Sequence, residues 1–391
     1  MKKVVMFFCG SLFPVNMGNK RLITEMARHL NSLQNVELTL VCLDVRDEKY
    51  EDCYRELCHE IKWIRPPRRW SFWDLLNKIV SRLGLDVLKV FFTALSVRGE
   101  FVRCCQGADW IILNYTAWFP LLPRGLRRAK CIVNTLDLLC YRRASFGGVD
   151  SAFKRMMVWI NRVAEMHVLS SYAKVCVLAD YEKELLLKNG VDGEKILHIG
   201  FPMVIEDVIP SDRNREKKFD FVFLGGGMAP KAETAVNMFF EKVATLFPER
   251  KLSFVMTQRD SWNWEKVIPP KNVELIRMGF VDSIPMLLSQ VKIGVSTPPM
   301  GSGIKTKTVE MIMNGLPVVV SNHGIEGIPT CSDAVLNIDE ADVDTVRRTV
   351  SFWLDNPDAS AEIGTKQGEE LRKVFSPHNC LGSLVACLLK S

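Results

Sequence analysis

A chain of 391 residues is longer than one hydrophobic core of ordinary size can organise, so two domains of about 200 residues each are expected. With 48% hydrophobic and 25% charged residues, and neither repeats nor low-complexity tracts, the composition is that of a folded globular protein and excludes a disordered or solenoid one. Net charge is +6 but uneven: residues 61–174 hold 19 Lys and Arg against 7 Asp and Glu, a surplus of 12 that leaves −6 for the rest.

The opening MKKVVMFFCGSLFP puts two lysines before an apolar run, as a signal sequence would. The run is only VVMFF and a turn with Gly10 and Pro14 follows, so a first buried strand is expected instead. Then NKRLITEMARHLNSL carries apolar residues at helical spacing and VELTLVCL reads as a second strand. DWIILN and AKCIVNT add strands, and VWINRVAEMHVLSSYAKVCVLADYEKELLLKNG reads as helix, strand, helix. The proline- and charge-bearing stretch over 200–220 is the expected interdomain linker. After it the alternation restarts with FDFVFLGGGMAP, AVNMFFEKVATLF, LSFVMT, VELIRMG, SIPMLLSQV, KIGVSTP, TVEMIMNG and PVVVSN. Near-continuous apolar strands alternating with helices belong to sheets covered on both faces. The expected division is 1–203, 204–375 and a last helix over 376–391 that folds back on the first domain.

The twelve cysteines include no CxxC pair, and several sit inside apolar runs such as VVMFFCG and AKVCVLAD. They read as buried free thiols in a reducing cytoplasm, not as a disulfide framework or a zinc site. No window reaches the length of about 20 apolar residues needed to cross a bilayer, so membrane contact would be peripheral. Within RPPRRWSFWDLLNKIVSRLGLDVLKVFF, Trp70, Trp73, Leu76, Val80, Leu83 and Val87 recur at spacings of three and four beside Arg68, Arg69, Lys78, Arg82 and Lys89. Such a stripe either faces the domain core or lies on an anionic membrane surface.

Two stretches carry chemistry. In FVFLGGGMAPK, Gly225, Gly226 and Gly227 stand between a strand and a helix, where backbone N–H groups approach a ligand closely. Taken alone they equally make a plain turn. In PMGSGIKTKTVEMIMNGLP, a glycine turn, Lys305 and Lys307 precede a helix carrying Glu310 in its early turns. Glycine turn, helix N-terminus and lysine together suit a diphosphate, although the order is not that of a P-loop. Glu310 either complements the helix dipole or accepts from the two hydroxyls of a ribose. Both loops follow strands of the second unit and so share the carboxyl edge of one parallel sheet, where open α/β folds bind ligands.

On VELIRMGFVDSIPMLLSQVKIGVSTP and GSGIKTKTVEMIMNGLPVVVSNHGIEGI the C-terminal half resembles the retaining nucleotide-sugar glycosyltransferases of GT-B fold, a group including many mannosyl-, glucosyl- and N-acetylglucosaminyltransferases. PVNMGNKRLITEMARHL, TLDLLCYRR and VLADYEKELL extend the resemblance more loosely over the chain. It implies an α/β protein of two Rossmann-like, doubly wound domains facing a cleft. It also implies transfer of a sugar from a nucleotide-diphosphate donor to a glycan or lipid-linked acceptor, in surface polysaccharide or glycoconjugate synthesis. Carried over residue by residue, Lys305 would hold the diphosphate and Glu310 the ribose. Gly226, Gly227, Ser302, Gly303 and Thr306 would complete the donor segment, and Gly279, Phe280 and Val281 would border the base. Asn16, Gly18 and Arg142 would lie on the acceptor side, with Asp137 joining Lys305 and Glu310 as catalytic residues. Asp137 read by itself is equally a helix or turn cap.

Two positions depart from the resemblance. Ser302 stands where many relatives have a sugar-contacting glutamate, as in a subgroup with a GSGxKxK form, and Leu136 stands where a histidine is common. None of the six histidines is expected to act as a base; His323 in SNHGIEG is read as a loop residue. Fixed cations facing the departing diphosphate imply catalysis without an essential metal and without a cofactor. Nucleic acid is not an expected partner. The competing readings are a nucleotide-sugar 2-epimerase of the same fold and a catalytically degenerate nucleotide-sugar-binding protein. The expected location is cytoplasmic, with the membrane's inner face as the peripheral alternative.

Overall fold

The computed structural model describes residues 1–15, 17–44, 48–65, 72–82, 85–141, 151–204, 217–225, 229–257, 266–300, 303–330 and 332–390. The chain divides into two compact units, Met1–Met203 with Phe375–Ser391, and Val204–Val374. Most of the expected linker, residues 205–216, lies outside the described residues.

The first unit is built on seven strands: β1 (Lys2–Phe8), β2 (Val36–Leu43), β3 (Glu60–Ile64), β4 (Trp110–Asn114), β5 (Cys131–Asn134), β6 (Lys174–Val177) and β7 (Ile196–His198). All pair in parallel, in the order β3-β2-β1-β4-β5-β6-β7. Parallel neighbours need a crossover that returns the chain, and helices cover the faces as a result. β1, β4 and β5 therefore consist almost wholly of buried residues. Phe7 makes edge-to-face contacts with Phe101 and Trp118, each at 5.2 Å between ring centroids. At the carboxyl ends of the central strands, fully buried Asn114 donates to the carbonyl of Phe7 (2.8 Å), and Asn134 donates to the Asn114 side chain (2.9 Å). These bonds fix the ends of β1, β4 and β5 relative to one another.

The second unit repeats the plan with β8 (Phe219–Leu224), β9 (Leu252–Thr257), β10 (Val273–Met278), β11 (Val291–Ser296), β12 (Val318–Val320) and β13 (Val335–Asn337). Its order is β10-β9-β8-β11-β12-β13, again all parallel. Counted from its own first strand this is 3-2-1-4-5-6, the order of the doubly wound nucleotide-binding fold, and the first unit follows it too. Its core holds an aromatic cluster in which Phe221 lies 5.0 Å from Phe239 and Phe240 lies 5.0 Å from Phe254.

The final helix, Pro377–Lys390, belongs to the first unit, where it packs on the Gly18–Asn31 helix and β7. Ser383 Oγ donates to the carbonyl of His198 at 2.9 Å. The apolar stripe expected over residues 70–87 is not one helical face, and Trp70 and Leu83 fall outside the described residues. The Phe72–Arg82 helix is followed by a separate 3-10 turn, Asp86–Leu88, in which Val87 is buried. Its inward side is organised by buried Asn77, which accepts from the Phe92 N–H at 3.1 Å, so Phe72, Leu75 and Ile79 point outward.

One packing contact sets the position of the Thr306–Met313 helix. The Pro357–Val374 helix lies against its C-terminal end through Gly364 and Gly368. A Cβ on Gly364 would stand 2.2 Å from the Gly315 carbonyl oxygen, and one on Gly368 would stand 2.6 Å from that of Ile312. Arg372 Nε closes the contact by donating to the Met313 carbonyl at 3.0 Å. Gly364→Ala should therefore cost about 1–3 kcal/mol and lower the midpoint of thermal unfolding by about 2–12 °C. Gly382→Ala, in the Pro377–Lys390 helix with open space around it, should instead be neutral or stabilising by up to about 1 kcal/mol.

Candidate functional site

In an open doubly wound sheet the crevice forms where neighbouring crossovers leave in opposite directions, at the carboxyl ends of the strands. In the second unit that point lies between β8 and β11. β8 delivers Gly225, whose N–H donates to Thr257 Oγ1 at 2.9 Å, and the Ala229–Lys242 helix follows. β11 delivers Thr297, which is fully buried and donates its hydroxyl to the Ala235 carbonyl of that helix at 2.7 Å. The two crossover loops are thus bonded to their surroundings on both sides of the crevice.

From Thr297 the chain runs to Gly303, in the left-handed region at φ 72°, and enters the Thr306–Met313 helix with Lys305 as its N-cap. The open N-terminal N–H groups and aligned peptide dipoles make this end attractive to an anion. Lys305 Nζ donates to the Gly303 carbonyl at 2.7 Å and lies 4.0 Å from a Glu326 carboxylate oxygen. Two residues on, Lys307 Nζ donates to Glu310 at 3.1 Å, and the Glu310 carboxylate is largely buried against the helix. Two cations and two carboxylates therefore meet at one helix entrance.

The entrance is held rigidly. The Thr308 hydroxyl donates to the Gly324 carbonyl (2.9 Å) and pairs with the Ser296 hydroxyl (2.7 Å), all of it buried. Ser321 Oγ donates to the Pro298 carbonyl at 2.7 Å. Gly324 packs so tightly that a Cβ there would stand 2.1 Å from the Ser296 carbonyl oxygen. The loops after β11 and β12 consequently form a single body.

At the carboxyl edge of the first unit, Gly18 begins the Gly18–Asn31 helix and Asn19 bonds the hydroxyl of Tyr115, which follows β4. Tyr115 and Leu136 both adopt positive φ, 73° and 57°, an uncommon and strained conformation for residues with side chains. Leu136 immediately precedes Asp137. The turn beyond Asp137 is fastened from behind by Glu165, fully buried, which accepts from the N–H groups of Leu139 (3.0 Å) and Cys140 (2.7 Å). Burial pushes the Glu165 carboxyl above its ordinary range, the two backbone donors pull it back, and the neighbouring Asp137 charge raises it again.

Of the residues expected at the site, Lys305, Glu310, Gly303 and Thr306 converge at the second unit's crevice. Gly279, Phe280 and Val281 follow β10 at the sheet's edge, with β9 between it and β8, and Phe280 is 89% exposed there. Gly18 and Asp137 lie at the carboxyl edge of the first unit. Asn16, Arg142, Gly226, Gly227 and Ser302 fall outside the described residues. His323 is in a short helix, Asn322–Ile325, rather than a loop, because Ser321 caps it by accepting from the Gly324 N–H. Sequence reasoning missed Glu326, Thr308 and Glu165. Only Glu326 left a trace, within SNHGIEG. Among the described residues no group of three His, Cys, Asp or Glu is arranged to hold a metal ion.

No protein-family model and no curated protein matches this chain. Solved structures do match. HepE of Anabaena in complex with UDP aligns over 99% of both chains at TM-score 0.66 and 11% identity. TarM covers 100% of this chain and 99% of its own at 0.68 and 12%, and sucrose-phosphate synthase from Thermosynechococcus elongatus aligns over 99% of both at 0.64 and 13%. The chain has the GT-B fold. The two Rossmann-like units and their crevices are the halves of that fold. Thr308→Val leaves the Gly324 carbonyl without its buried donor, so it should cost about 1–3 kcal/mol in urea unfolding with little change in the slope against urea.

Proposed function

We propose that the protein is a retaining, metal-independent glycosyltransferase that moves a sugar from a nucleotide-diphosphate donor to a glycan or lipid-linked acceptor in surface polysaccharide or glycoconjugate synthesis. The observation that carries this reading is the helix entrance at the β8/β11 crevice, where a glycine turn, Lys305 and buried Glu310 meet. The fold is that of HepE, which has been crystallised with UDP and with UDP-glucose.

The dimensions suit a nucleotide. Two interstrand steps separate β8 from β10, about 10 Å, which is the reach from a diphosphate to a base lying on Gly279–Val281. Phe280, almost fully exposed, would offer that base a stacking face. Glu310 would take the ribose hydroxyls once its bond to Lys307 is shared. Lys305, the helix dipole and the glycine-loop N–H groups, Gly226 and Gly227 among them, would stabilise the diphosphate as the bond from the anomeric carbon to the phosphate oxygen breaks. Because these charges are fixed before the reaction, no divalent cation is required for that step.

In this reading the first unit binds the acceptor, through Asn16, Gly18 and Arg142, with Asp137 as the residue facing the reacting hydroxyl. The strained turn at Leu136 and the buried Glu165 behind it support that assignment, since both hold Asp137 in one place. The free thiols support a reducing, cytoplasmic setting: burial raises Cys42, Cys140 and Cys176 far above their ordinary range, which leaves them protonated and inert.

Incubation with labelled nucleotide sugars should give transfer or slow hydrolysis, with the anomeric configuration of the product retained when read by NMR. Lys305→Ala and Glu310→Ala should each lower kcat/KM by about 100- to 1000-fold. UDP should raise the unfolding midpoint of the native chain and have little effect on Lys305→Ala. Full activity in both variants would sink the assignment.

A further inference from the structure

The Ala152–Leu169 helix of the first unit is one-sided. Met157, Asn161, Glu165, Met166, Val168 and Leu169 face the interior. On the opposite side Phe153 (64% exposed), Met156 (47%), Trp159 (56%) and Val163 (48%) recur at spacings of three, three and four, one continuous stripe. The helix contains a single carboxylate, Glu165, and that is buried on the amides of Leu139 and Cys140. Its solvent side therefore carries Lys154, Arg155 and Arg162 with no opposing charge.

A second exposed stripe adjoins it. Phe72, Leu75 and Ile79 point outward from the Phe72–Arg82 helix, whose only acid, Asp74, is paired with Lys78 at 2.8 Å. The turn Asp86–Leu88 touches both helices, and the Asp86 N–H donates to Asn161 Oδ1 at 2.8 Å, so the two helices are fastened through it. Isolated exposed apolar residues are ordinary, but seven large ones in two stripes on linked helices are not.

We infer that the outward faces of the Ala152–Leu169 and Phe72–Arg82 helices form a docking surface for an anionic lipid bilayer. The aromatic and aliphatic side chains enter the headgroup–acyl boundary while Lys154, Arg155 and Arg162 lie among the anionic headgroups. Charge selects this occupant: a stripe flanked only by cations complements a negative surface, while a second copy of the same face would set cation against cation. None of the described helices is long and apolar enough to span a bilayer, so contact through this face is interfacial. The Ala152–Leu169 helix feeds β6 at the amino edge of the sheet, so Phe153 and Met156, in its first turns, stand toward the carboxyl edge that holds Asp137. The inference does not depend on the transferase reading, since it stands on the surface alone.

Flotation of the full chain with vesicles of phosphatidylcholine, or of phosphatidylcholine with phosphatidylglycerol, tests it. Binding is expected to the anionic vesicles, falling as salt rises, with little to the neutral ones. Each cation removed should lower partitioning about fivefold, so Lys154→Gln/Arg155→Gln/Arg162→Gln should lose about 100-fold. Phe153→Ser/Trp159→Ser should also float poorly although its charge is unchanged. Ile268→Ser, which removes an exposed apolar side chain of the second unit, should bind like the native chain. All these residues are exposed, and unchanged thermal unfolding checks that the variants fold. Equal binding to both vesicles, or to neither, overturns the inference. So does self-association in sedimentation that Phe153→Ser/Trp159→Ser abolishes, because the face would then cover a second copy.

Discussion

Every strand pairing in this molecule is parallel, and most of its architecture follows from that. A parallel neighbour cannot be reached by a tight turn, so the chain must leave the carboxyl end of each strand, cross a face of the sheet and return to the amino end. Helix N-termini, with their unsatisfied N–H groups, are thereby gathered at one edge of each sheet. Where the crossovers part, between β1 and β4 and between β8 and β11, those groups border an open crevice with no backbone above it. Chemistry is concentrated at these edges because the connectivity leaves nowhere else for polar backbone to converge.

The two edges are stiffened by different means. In the first unit a ladder of buried amides, Asn134 to Asn114 to the Phe7 carbonyl, ties three strand ends together. In the second, hydroxyl groups and a glycine do the same work: Thr308, Ser296 and Ser321 bond the loops after β11 and β12, and Gly324 lets the two backbones touch. A binding group is useful only if its support does not yield, and here the support is bonded more extensively than the groups it presents. Lys305 and Lys307 each keep a carboxylate within reach, so the site is close to electrically neutral before any anion enters. An incoming diphosphate would have to compete with Glu326 and Glu310, which favours ligands that bring hydroxyl donors for the displaced carboxylates along with their negative charge.

Much of this was legible in the sequence. Buried parallel strands are apolar at nearly every position, so VVMFF, DWIILN and KIGVSTP announced themselves, and the helical crossovers between them fixed the fold class. Glycine and lysine before a helix were equally plain, because a turn and an anion-binding terminus have local requirements. Long-range partners were not. Nothing in the spacing tells that Glu165 reaches back to the turn after Asp137, or that Glu326 lies across from Lys305, since both depend on how crossovers of different strands come together. The stripe over 70–87 failed for a related reason: helical periodicity continued past the point where the helix ends, and a buried asparagine, Asn77, organised the inward face in place of an apolar residue. The outward residues on Ala152–Leu169 went unread because apolar side chains on a helix are ordinarily assigned to a core.

The membership of Pro377–Lys390 in the first unit has a consequence for how the protein is made. The second unit is one continuous stretch, Val204–Val374, while the first is interrupted and needs Phe375–Ser391 to complete it. On a ribosome the earlier strands emerge first, yet the helix that covers the Gly18–Asn31 helix and β7 arrives only after the whole second unit has been synthesised. The first unit must wait, its flank uncovered, while the second is free to fold ahead of it. The order of completion is thus the reverse of the order of synthesis, and a nascent-chain factor with an interest in this protein would find its exposed surface on the part made earliest.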